Sequence, residues 1–228
     1  MDLPEVNKFK GSHPDSIEKV RRDFPLPKQY RKLLAIAGED GFLAGGSVRF
    51  LVTKGADKAQ SDDFDFYAYS PEGREKLLQN FLNAGFVIKH ENVNAWSLKK
   101  KDIKVQIIKS FCGEIEKVVD EFDMTVCRIA TDGKWVYRDK DFIEHNQKKL
   151  IVIKTIQCPI GALRRLIKYS KKGFHCSNFQ FVKLYEHYIS LGEDYRMKLL
   201  NLMNHNEENG KLEQHEFEEL EAILIKVD

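Results

Sequence analysis

Apolar and polar positions alternate with different periods along the chain, and the changes of period mark the predicted elements. Between residues 28 and 38, apolar side chains recur every three or four positions, which predicts a helix. Asp63–Tyr69 alternates polar and aromatic residues, a pattern typical of a strand with one buried face. Phe42–Ala44 is a short apolar run before two glycines. It predicts a buried strand that leads into a tight turn.

The same criteria predict the other elements of the first 158 residues. Helices are expected at Ser16–Phe24, Ser47–Lys54, Pro71–Asn83, Glu114–Phe122 and Asp139–Gln147. Strands are expected at Phe86–His90, Ala95–Lys99, Ile103–Ile108, Thr125–Ala130, Lys134–Tyr137 and Leu150–Ile153. This mixture predicts an α+β fold with a mixed β-sheet and flanking helices.

From Pro159 onward the pattern is helical throughout. Helices are expected at Ile160–Lys172, Phe179–Ile189, Asp194–Met203 and Glu216–Lys226. The chain therefore divides into an N-terminal lead-in (1–26), a mixed α/β domain (27–158) and a small all-helical C-terminal region (159–228).

The charge balance, the hydropathy and the cysteines of the chain indicate which kinds of partner and which cellular location to expect. The 37 basic and 35 acidic side chains leave a net charge of +2. This balance gives no strong case for nucleic acid as a partner and no sign of DNA specificity. The N-terminus is polar, no stretch approaches the roughly 18 apolar residues of a membrane span, and the four cysteines are scattered. These features predict a cytoplasmic protein with reduced thiols and no membrane contact.

The strongest chemical signal is a Gly45-Gly46-Ser47 turn followed by a strand that carries Asp63 and Asp65. Glycines let backbone N–H groups approach phosphates closely, and the helix that starts at the turn adds its positive dipole end. Aspartates two positions apart on a strand point to the same face, where they can share a hard divalent cation. With Mg²⁺ (or Mn²⁺), such a pair can align a nucleoside triphosphate for in-line attack by a hydroxyl.

These motifs resemble those of the polymerase-beta-type nucleotidyltransferase superfamily. The resemblance is closest to the head domain of CCA-adding enzymes and bacterial poly(A) polymerases, whose Gly-Gly-x-Val-Arg and Asp-x-Asp stretches appear here as LAGGSVRF and DDFDF. Three later segments agree in order: Phe122–Thr125, Lys140–Leu150 and the basic helix Leu163–Tyr169. The resemblance covers residues 30 to 175 and implies a nucleotidyltransferase head domain.

The resemblance also implies roles for individual residues. Asp63 and Asp65 would bind Mg²⁺ and act in catalysis, and Asp123 would contact the ribose or the primer end. The implied nucleotide-binding residues are Gly45, Gly46, Ser47, Arg49, Arg164 and Lys168. The implied reaction transfers a nucleoside monophosphate from an NTP to a hydroxyl, with release of pyrophosphate. An RNA 3′ end, such as that of tRNA, is the favoured acceptor.

One position departs from the family pattern. The family places a third carboxylate on a later strand, where it helps to bind metal and to deprotonate the attacking hydroxyl. The predicted strand Ile103–Ile108 occupies that place, but its outward residue is Gln106. Glutamine cannot act as a base, so either Asp123 or another carboxylate substitutes, or catalysis is weak or absent.

Two other functions therefore remain open. The Gln106 substitution permits a catalytically weakened nucleotide-binding or regulatory module that has kept the fold. A toxin-type nucleotidyltransferase that modifies tRNA or a protein is equally compatible with the motifs, because they do not identify the acceptor.

A separate segment, His205–Glu216, resembles the twelve-residue calcium loop of an EF-hand. Glu207, Asn209 and Gly210 occupy matching positions. The first position, however, is His205, where an aspartate is expected, and imidazole is a poor calcium ligand. We interpret this segment as an acidic turn between two helices.

Overall fold

The central element of the computed structural model is an eight-stranded β-sheet. The structure describes residues 9–10, 16–55, 63–157, 159–193 and 196–197. The strands are β1 (Phe9–Lys10), β2 (Ile17–Arg21), β3 (Gly41–Ala44), β4 (Asp63–Ala68), β5 (Val87–Glu91), β6 (Ala95–Lys100), β7 (Ile103–Cys112), β8 (Ile129–Thr131), β9 (Trp135–Asp139) and β10 (Thr155–Ile156). The helices are α1 (Lys28–Ala37), α2 (Gly46–Lys54), α3 (Pro71–Asn83), α4 (Ile115–Asp120), α5 (Phe142–Gln147), α6 (Pro159–Ser170) and α7 (Asn178–Ser190).

The sheet has mixed strand directions, as the sequence predicted. Its order is β2-β9-β8-β3-β4-β7-β6-β5, and β1 pairs separately with β10. β4 and β7 run parallel, and their neighbours in the sheet pair antiparallel. Helices flank this sheet, and the described part of the C-terminal region consists of helices, so the predicted α+β class is confirmed.

Apolar residues on one face of the sheet pack against helices. Phe64 and Phe66 of β4 are fully buried, and the ring centroids of Phe66 and Phe81 lie 5.0 Å apart. The same cluster contains Leu33 of α1 and Leu77 of α3. Because strand side chains alternate, Asp63 and Asp65 point to the opposite face.

The opposite face is covered in part by other elements. α4 packs on β3, β8 and β9 through a smaller apolar cluster that includes Val119 and Phe42. A further cluster joins α6 and α7 to residues 124–126 and 151–156, with Leu166 and Ile153 near its centre. These two clusters lie on either side of the polar end of β4 and leave a cavity between them and the sheet.

Three predicted elements are wrong in type. Ser16–Phe24, predicted as a helix, contains the strand β2, which pairs antiparallel with β9. The Ser16 hydroxyl donates to Asp120 (2.8 Å) instead of capping a helix. Within Thr125–Ala130 the structure has a 3₁₀ turn followed by the start of β8. Residues 150–153 form only isolated bridges, through Leu150 and Ile153.

A buried arginine joins several of these elements. Arg128 is fully buried, and its guanidinium donates to the backbone carbonyls of Asp120 (2.8 Å) and Phe122 (3.0 Å). It also forms ion pairs with the carboxylates of Asp120 and Asp139. A buried charge is stable only when it is paired and hydrogen-bonded, so this network holds β8, β9 and α4 together.

Two predicted features of the C-terminal region fall outside the described residues. They are the calcium-loop-like segment at 205–216 and the helix predicted at 216–226. Of the helix predicted at 194–203, the structure describes only residues 196–197. None of the helices in the described part of the chain is long and apolar enough to cross a membrane.

Candidate active site

A cavity of about 450 Å³ lies against the polar end of β4, on the sheet face that α1 and α3 do not cover. Residues from β4, β7, the start of α2, the 121–127 segment and α6 line it. Seven of the nine residues that the sequence analysis named as site residues are among them: Gly45, Gly46, Arg49, Asp65, Asp123, Arg164 and Lys168. Asp63 and Ser47 do not line the cavity.

The glycine turn places bare backbone directly beside the candidate metal ligand. Gly45 has a φ of 74°, a conformation that favours glycine, and its N–H donates to the carbonyl of Ile129 (2.8 Å). A Cβ at this position would lie 3.7 Å from Oδ2 of Asp65. α2 begins at Gly46, where a Cβ would meet open space. The helix N-terminus and an uncovered backbone therefore face the same cavity as Asp65.

Asp65 is the carboxylate at the inner end of the pair. Burial raises the pKa of Asp65 to about 6; the neighbouring Asp63 adds to the rise, and Lys168 opposes it. A desolvated carboxylate beside a second carboxylate is stabilised in its charged form by a cation. The electrostatics of this position therefore favour a bound cation.

Asp63 lies at the solvent-exposed end of the pair. Its side chain is 65% exposed, and Nζ of Lys104 lies 3.6 Å from its Oδ1. In the register of the parallel strands, Asp63 stands beside Lys104 and Asp65 stands beside Gln106. Alternation keeps both aspartates on one face of β4, as the sequence predicted.

Gln106 occupies the position on β7 where the family pattern led us to expect a third carboxylate. It is the β7 neighbour of Asp65 and lines the cavity. Among the described residues, no group of three or more histidine, cysteine or acidic side chains is arranged to hold a metal ion. Asp123 therefore does not complete a three-carboxylate site with Asp63 and Asp65.

The donors that are present nevertheless fit Mg²⁺ together with a nucleotide. Mg²⁺ is commonly held by one or two carboxylates, with substrate phosphates and water as its other ligands. Asp63 and Asp65 supply two carboxylates on one face, and burial, with a smaller contribution from Asp63, raises the pKa of Asp65.

Asp123 lines the cavity but is engaged by an arginine. Its buried carboxylate accepts a hydrogen bond from Nε of Arg165, and Sγ of Cys127 lies 3.8 Å from its other oxygen. Burial raises the pKa of Cys127 to about 12, so its thiol is protonated at neutral pH. Asp123 and Arg165 thus form a charged pair in the wall of the cavity.

Arg49 is enclosed by aromatic rings and an amide. Its Nε donates to Oδ1 of Asn146 (2.7 Å), and its guanidinium carbon lies 5.3 Å from the ring centroid of Tyr169 and 4.8 Å from that of Phe174. Burial lowers the pKa of Arg49, but an arginine stays charged at physiological pH. The residue therefore brings a fixed positive charge to the cavity and also connects α2 to α5 and α6.

The basic residues of α6 face the same space. Arg164, Arg165, Lys168 and, just beyond the helix, Lys172 line the cavity. Burial lowers the pKa of Lys172, and the charges of Lys168 and Arg49 add to this effect. Mutual repulsion among cations in a partly buried cavity favours the binding of an anion.

Ser47 lies beneath the turn rather than in the cavity wall. It is buried, its carbonyl accepts the hydroxyl of Tyr30 (2.9 Å), and its own Oγ has no hydrogen-bond partner among the described residues. A phosphate contact by the Ser47 side chain stays a prediction.

Several lining residues were not named as site residues from the sequence. They include Arg165, Lys172, Glu121, Tyr67, Tyr169 and Gln157. The spacing of Arg164, Lys168 and Lys172, four residues apart, was a signal that one basic helix face continues toward the end of α6. The alternation of β4 places Tyr67 on the same face as Asp63 and Asp65, whereas no local pattern marks Gln157, which reaches the cavity through tertiary packing.

Solved structures with a similar fold include CCA-adding enzymes. The Thermotoga maritima CCA-adding enzyme complexed with tRNA aligns with a TM-score of 0.52 and 16% identity, over 76% of this chain and 44% of the enzyme. A CCA-adding enzyme in complex with ATP aligns with a TM-score of 0.50 and 15% identity, over 65% of this chain and 39% of the other. At these identities the likeness concerns the fold alone, which is similar to that of the CCA-adding enzyme head domain.

A curated relative and a family model match the sequence itself. Gabija anti-defense 2 of Bacillus phage SPbetaL7 is 26% identical over 154 residues, which cover 66% of this chain and 38% of that protein. This chain therefore spans well under half the length of its relative. The model of the Gabija anti-defense 2 family matches residues 16–149, more than half of the chain. The nucleotidyltransferase-like fold described above thus occurs here in a protein that belongs to the Gabija anti-defense 2 family.

Proposed function

We propose that this chain is a metal-dependent nucleotidyltransferase that transfers a nucleoside monophosphate from an NTP to a hydroxyl acceptor. One observation carries the proposal. A single cavity places the Asp65 carboxylate, the bare backbone of Gly45 and Gly46 and the basic face of α6 around the same space. These are the groups that a polyphosphate and its cation require.

The charges in the cavity wall match a triphosphate. Five cationic side chains line it: Arg49, Arg164, Arg165, Lys168 and Lys172. Three acidic side chains do so: Asp65, Glu121 and Asp123. The Arg165–Asp123 pair neutralises one charge of each sign, and the cationic side chains of the wall still outnumber the acidic ones. Asp65, beside the helix N-terminus, marks where the metal-bound phosphates would lie.

Asp63 and Asp65 would hold Mg²⁺ (or Mn²⁺), which when bound neutralises phosphate charge and orients the triphosphate. Because the N–H of Gly45 already donates to the carbonyl of Ile129, the start of α2 at Gly46 and the α6 cations would fix the β- and γ-phosphates. The acceptor oxygen then bonds to the α-phosphorus as the bond to the β-phosphate oxygen breaks, and pyrophosphate leaves. The amide of Gln106 is too weak a base to accept the hydroxyl proton, which would therefore pass to solvent water. Because the transition state is loose, positioning and charge stabilisation supply most of the catalysis.

The family supplies a biological setting for this chemistry. Its description, Gabija anti-defense 2, suggests that the chain counters the defence called Gabija. We propose that nucleotidyl transfer is the means by which it does so. Expressing the wild type and Asp65→Asn in cells that carry Gabija, and then challenging them with phage, tests this link. Equal phage growth with both proteins would separate the anti-defence role from the site.

The activity is tested directly with purified protein. The chain is incubated with Mg²⁺, each of the four labelled NTPs in turn, and total RNA or lysate protein. We expect one or more NTPs to label an acceptor with an equal amount of pyrophosphate released, and both signals to disappear when EDTA removes the metal. The proposal fails if no NTP yields pyrophosphate in any mixture.

A second function is favoured by Gln106, which replaces a carboxylate beside Asp65. In that case the chain binds nucleotide as a regulatory module without turnover. Calorimetry with an NTP and Mg²⁺ would then show binding, while the same sample releases no pyrophosphate. Binding together with pyrophosphate release rejects this alternative.

A further inference from the structure

One wall of the cavity, formed by β6, β7 and the turn between β5 and β6, carries no charge. Every residue that lines the cavity between positions 92 and 111 is uncharged, and this set is here called the neutral wall. Its polar members are three amides and one hydroxyl: Asn92, Asn94, Gln106 and Ser110. The cationic side chains that line the cavity lie instead on α2, on α6 or just beyond α6. Charged and neutral polar groups are therefore segregated on different elements around one space.

Strand pairing holds the side chains of the neutral wall close together. Ala95 of β6 is the register partner of Ile108 on β7, and the carbonyl of Asn94 accepts the N–H of Lys109 (2.7 Å). Gln106 lies two positions before Ile108 on β7, so both side chains point to the same face. The amides of Asn94 and Gln106 thus lie near a small apolar floor made by Ala95 and Ile108.

The end of β7 adds a hydroxyl and an aromatic ring to this wall. The pairing of β7 with β4 shifts register before Cys112. In this stretch two consecutive residues, Ser110 and Phe111, both line the cavity, whereas regular alternation would turn only one of them to that face. Both side chains are half-buried. The neutral wall therefore presents a flat apolar surface beside its polar groups.

The polar groups of the neutral wall have few hydrogen-bond partners within the protein. Oδ1 of Asn92 accepts the N–H groups of Asn94 and Ala95 (2.8 Å each), which fixes this side chain and leaves its Nδ2 for another partner. Nδ2 of Asn94 is buried and has no partner among the described residues. In the same part of the chain, the side chains of Gln106 and Ser110 form no hydrogen bond. A buried donor without a partner destabilises a fold, and a small rotation of the Asn94 amide brings this donor to a ligand in the cavity.

The neutral wall lies on the side from which an acceptor hydroxyl must approach. Gln106 is the β7 neighbour of Asp65. The turn at Gly45 follows β3, which lies on one side of β4, whereas β7 and β6 lie on the other side. In-line transfer places the attacking oxygen and the departing pyrophosphate on opposite sides of the α-phosphorus. With the β- and γ-phosphates at the start of α2, the acceptor approaches over β7 and contacts the neutral wall.

The composition of the neutral wall favours one chemical class of acceptor. Amides and hydroxyls can both donate and accept hydrogen bonds, and so can the hydroxyls of a sugar. A nucleic-acid strand requires cations along its path, and a cationic acceptor requires carboxylates. The neutral wall supplies neither, and an uncharged ligand avoids the cost of desolvating a charge there. The ring of Phe111 offers a surface on which the C–H groups of a sugar ring can pack.

We propose that the neutral wall binds a small, uncharged sugar and that one of its hydroxyls accepts the nucleoside monophosphate. This inference rests on the proposed function and names its acceptor. The sugar oxygen bonds to the α-phosphorus, the bond from that phosphorus to the departing pyrophosphate oxygen breaks, and the hydroxyl proton passes to water. The products are a sugar–nucleotide phosphodiester and pyrophosphate. Asn92, Asn94 and Ser110 bind and orient the sugar without taking part in the bond changes.

The test uses the full chain with Mg²⁺, labelled NTPs and acceptors of three classes. The acceptors are a panel of neutral monosaccharides and methyl glycosides, a short RNA, and lysate protein. We expect mass spectrometry to find a labelled sugar–nucleotide phosphodiester, with an equal amount of pyrophosphate released. In Asn94→Ala/Ser110→Ala, the loss of two hydrogen bonds should raise the KM for the sugar by about 10-fold or more. The affinity for ATP and Mg²⁺, measured by calorimetry, should stay at the wild-type value.

A matched control replaces the same residue types outside the cavity. Asn83→Ala/Ser170→Ala changes two exposed residues that do not line it and should leave both the KM and the affinity unchanged. If the double variant in the neutral wall does not fold, Ser110→Ala alone should still raise the KM for the sugar, by about 3-fold.

The outcomes separate the two proposals. If no acceptor leads to pyrophosphate release, the proposed function fails, and the sugar assignment fails with it. If RNA or protein is labelled and no sugar is, the sugar assignment is overturned while the proposed function stands. A wild-type KM for the sugar in the folded neutral-wall variants overturns it as well.

Discussion

The two faces of strand β4 differ in what they contribute to the protein. One face presents Phe64 and Phe66, which are fully buried against α1 and α3. The other presents Asp63 and Asp65 to solvent and to the cavity, where burial and mutual repulsion raise the pKa of Asp65. The first face contributes to folding stability, whereas the second retains a desolvated carboxylate that lowers stability. Stability and the proposed chemistry thus depend on alternate residues of one strand.

The largest expected effect comes from the packed face. Phe66→Ala leaves a void beside Phe81 and should lower the free energy of unfolding by about 3–5 kcal/mol. Urea denaturation followed by fluorescence measures this change. The fraction that remains folded should bind nucleotide with unchanged affinity. Tyr67→Phe, at the next position and on the other face, serves as the control and should change stability little. A loss below about 1 kcal/mol for Phe66→Ala would contradict this view of the packed face.

The next largest effect comes from the face of β4 that carries Asp63 and Asp65. There a substitution should reduce activity and leave stability unchanged. Asp65→Asn should reduce nucleotidyl transfer by about 10²- to 10³-fold, the range for loss of one group that stabilises transition-state charge. Thermal unfolding without metal should show no loss of stability, because the change removes a desolvated charge. Steady-state pyrophosphate release gives the rate, with Asp102→Asn at the exposed β6–β7 turn as the control. A variant as active as the wild type would remove Asp65 from the mechanism.

Gln106→Glu sharpens the comparison by adding the carboxylate that β7 lacks. If deprotonation of the acceptor limits turnover, the variant should raise the transfer rate by up to about 10²-fold, the lower range for general-base catalysis. A steeper rise of rate with pH should accompany the gain. Ser97→Glu places the same charge one strand farther from Asp65 and is expected to give no gain. An unchanged rate in Gln106→Glu would show that the missing base does not limit the reaction.

The smallest effect is a pH dependence of stability. The folded-state pKa of Asp65 is raised to about 6 from an ordinary value of 3.8. Between these values the folded chain holds a proton that the unfolded chain has released, so stability falls as pH rises through the window. Relative to Asp65→Asn, the metal-free wild type should lose about 1–3 kcal/mol between pH 4 and pH 6, and no more above it. Urea titrations at several pH values measure the free energy of unfolding of both proteins. If the difference between them does not change with pH, Asp65 is well hydrated and its pKa is not raised.

Local signals were sufficient to predict the elements around the site. α3 begins and ends where predicted, because Ser70 caps its first turn by accepting the N–H of Gly73 (3.0 Å) and Gly85 follows its end. The alternation of β4 correctly gave both of its faces. The two adjacent glycines predicted the tight turn. In the structure Gly45 has a positive φ of 74°, a conformation that favours glycine.

Distant contacts determined the features that the sequence could not give. β2 is short, and it is a strand because it pairs with β9, more than a hundred residues later. The Arg165–Asp123 pair links α6 to a segment 42 residues away, and neither side chain carries a local mark of its partner. The roles of the site residues stay predictions, since geometry brings most of them together without showing what each one does.

The enclosure of Arg49 has a consequence for how the molecule unfolds. Its guanidinium on α2 contacts an amide on α5 and two aromatic rings at and just beyond α6. Detaching α6 would remove the contact between this cation and the Tyr169 ring and expose the apolar surface beneath the helix, so partial opening at this point is costly. α6 should therefore melt together with the sheet in one cooperative transition, and slowly exchanging amide protons should extend from β3 into α6.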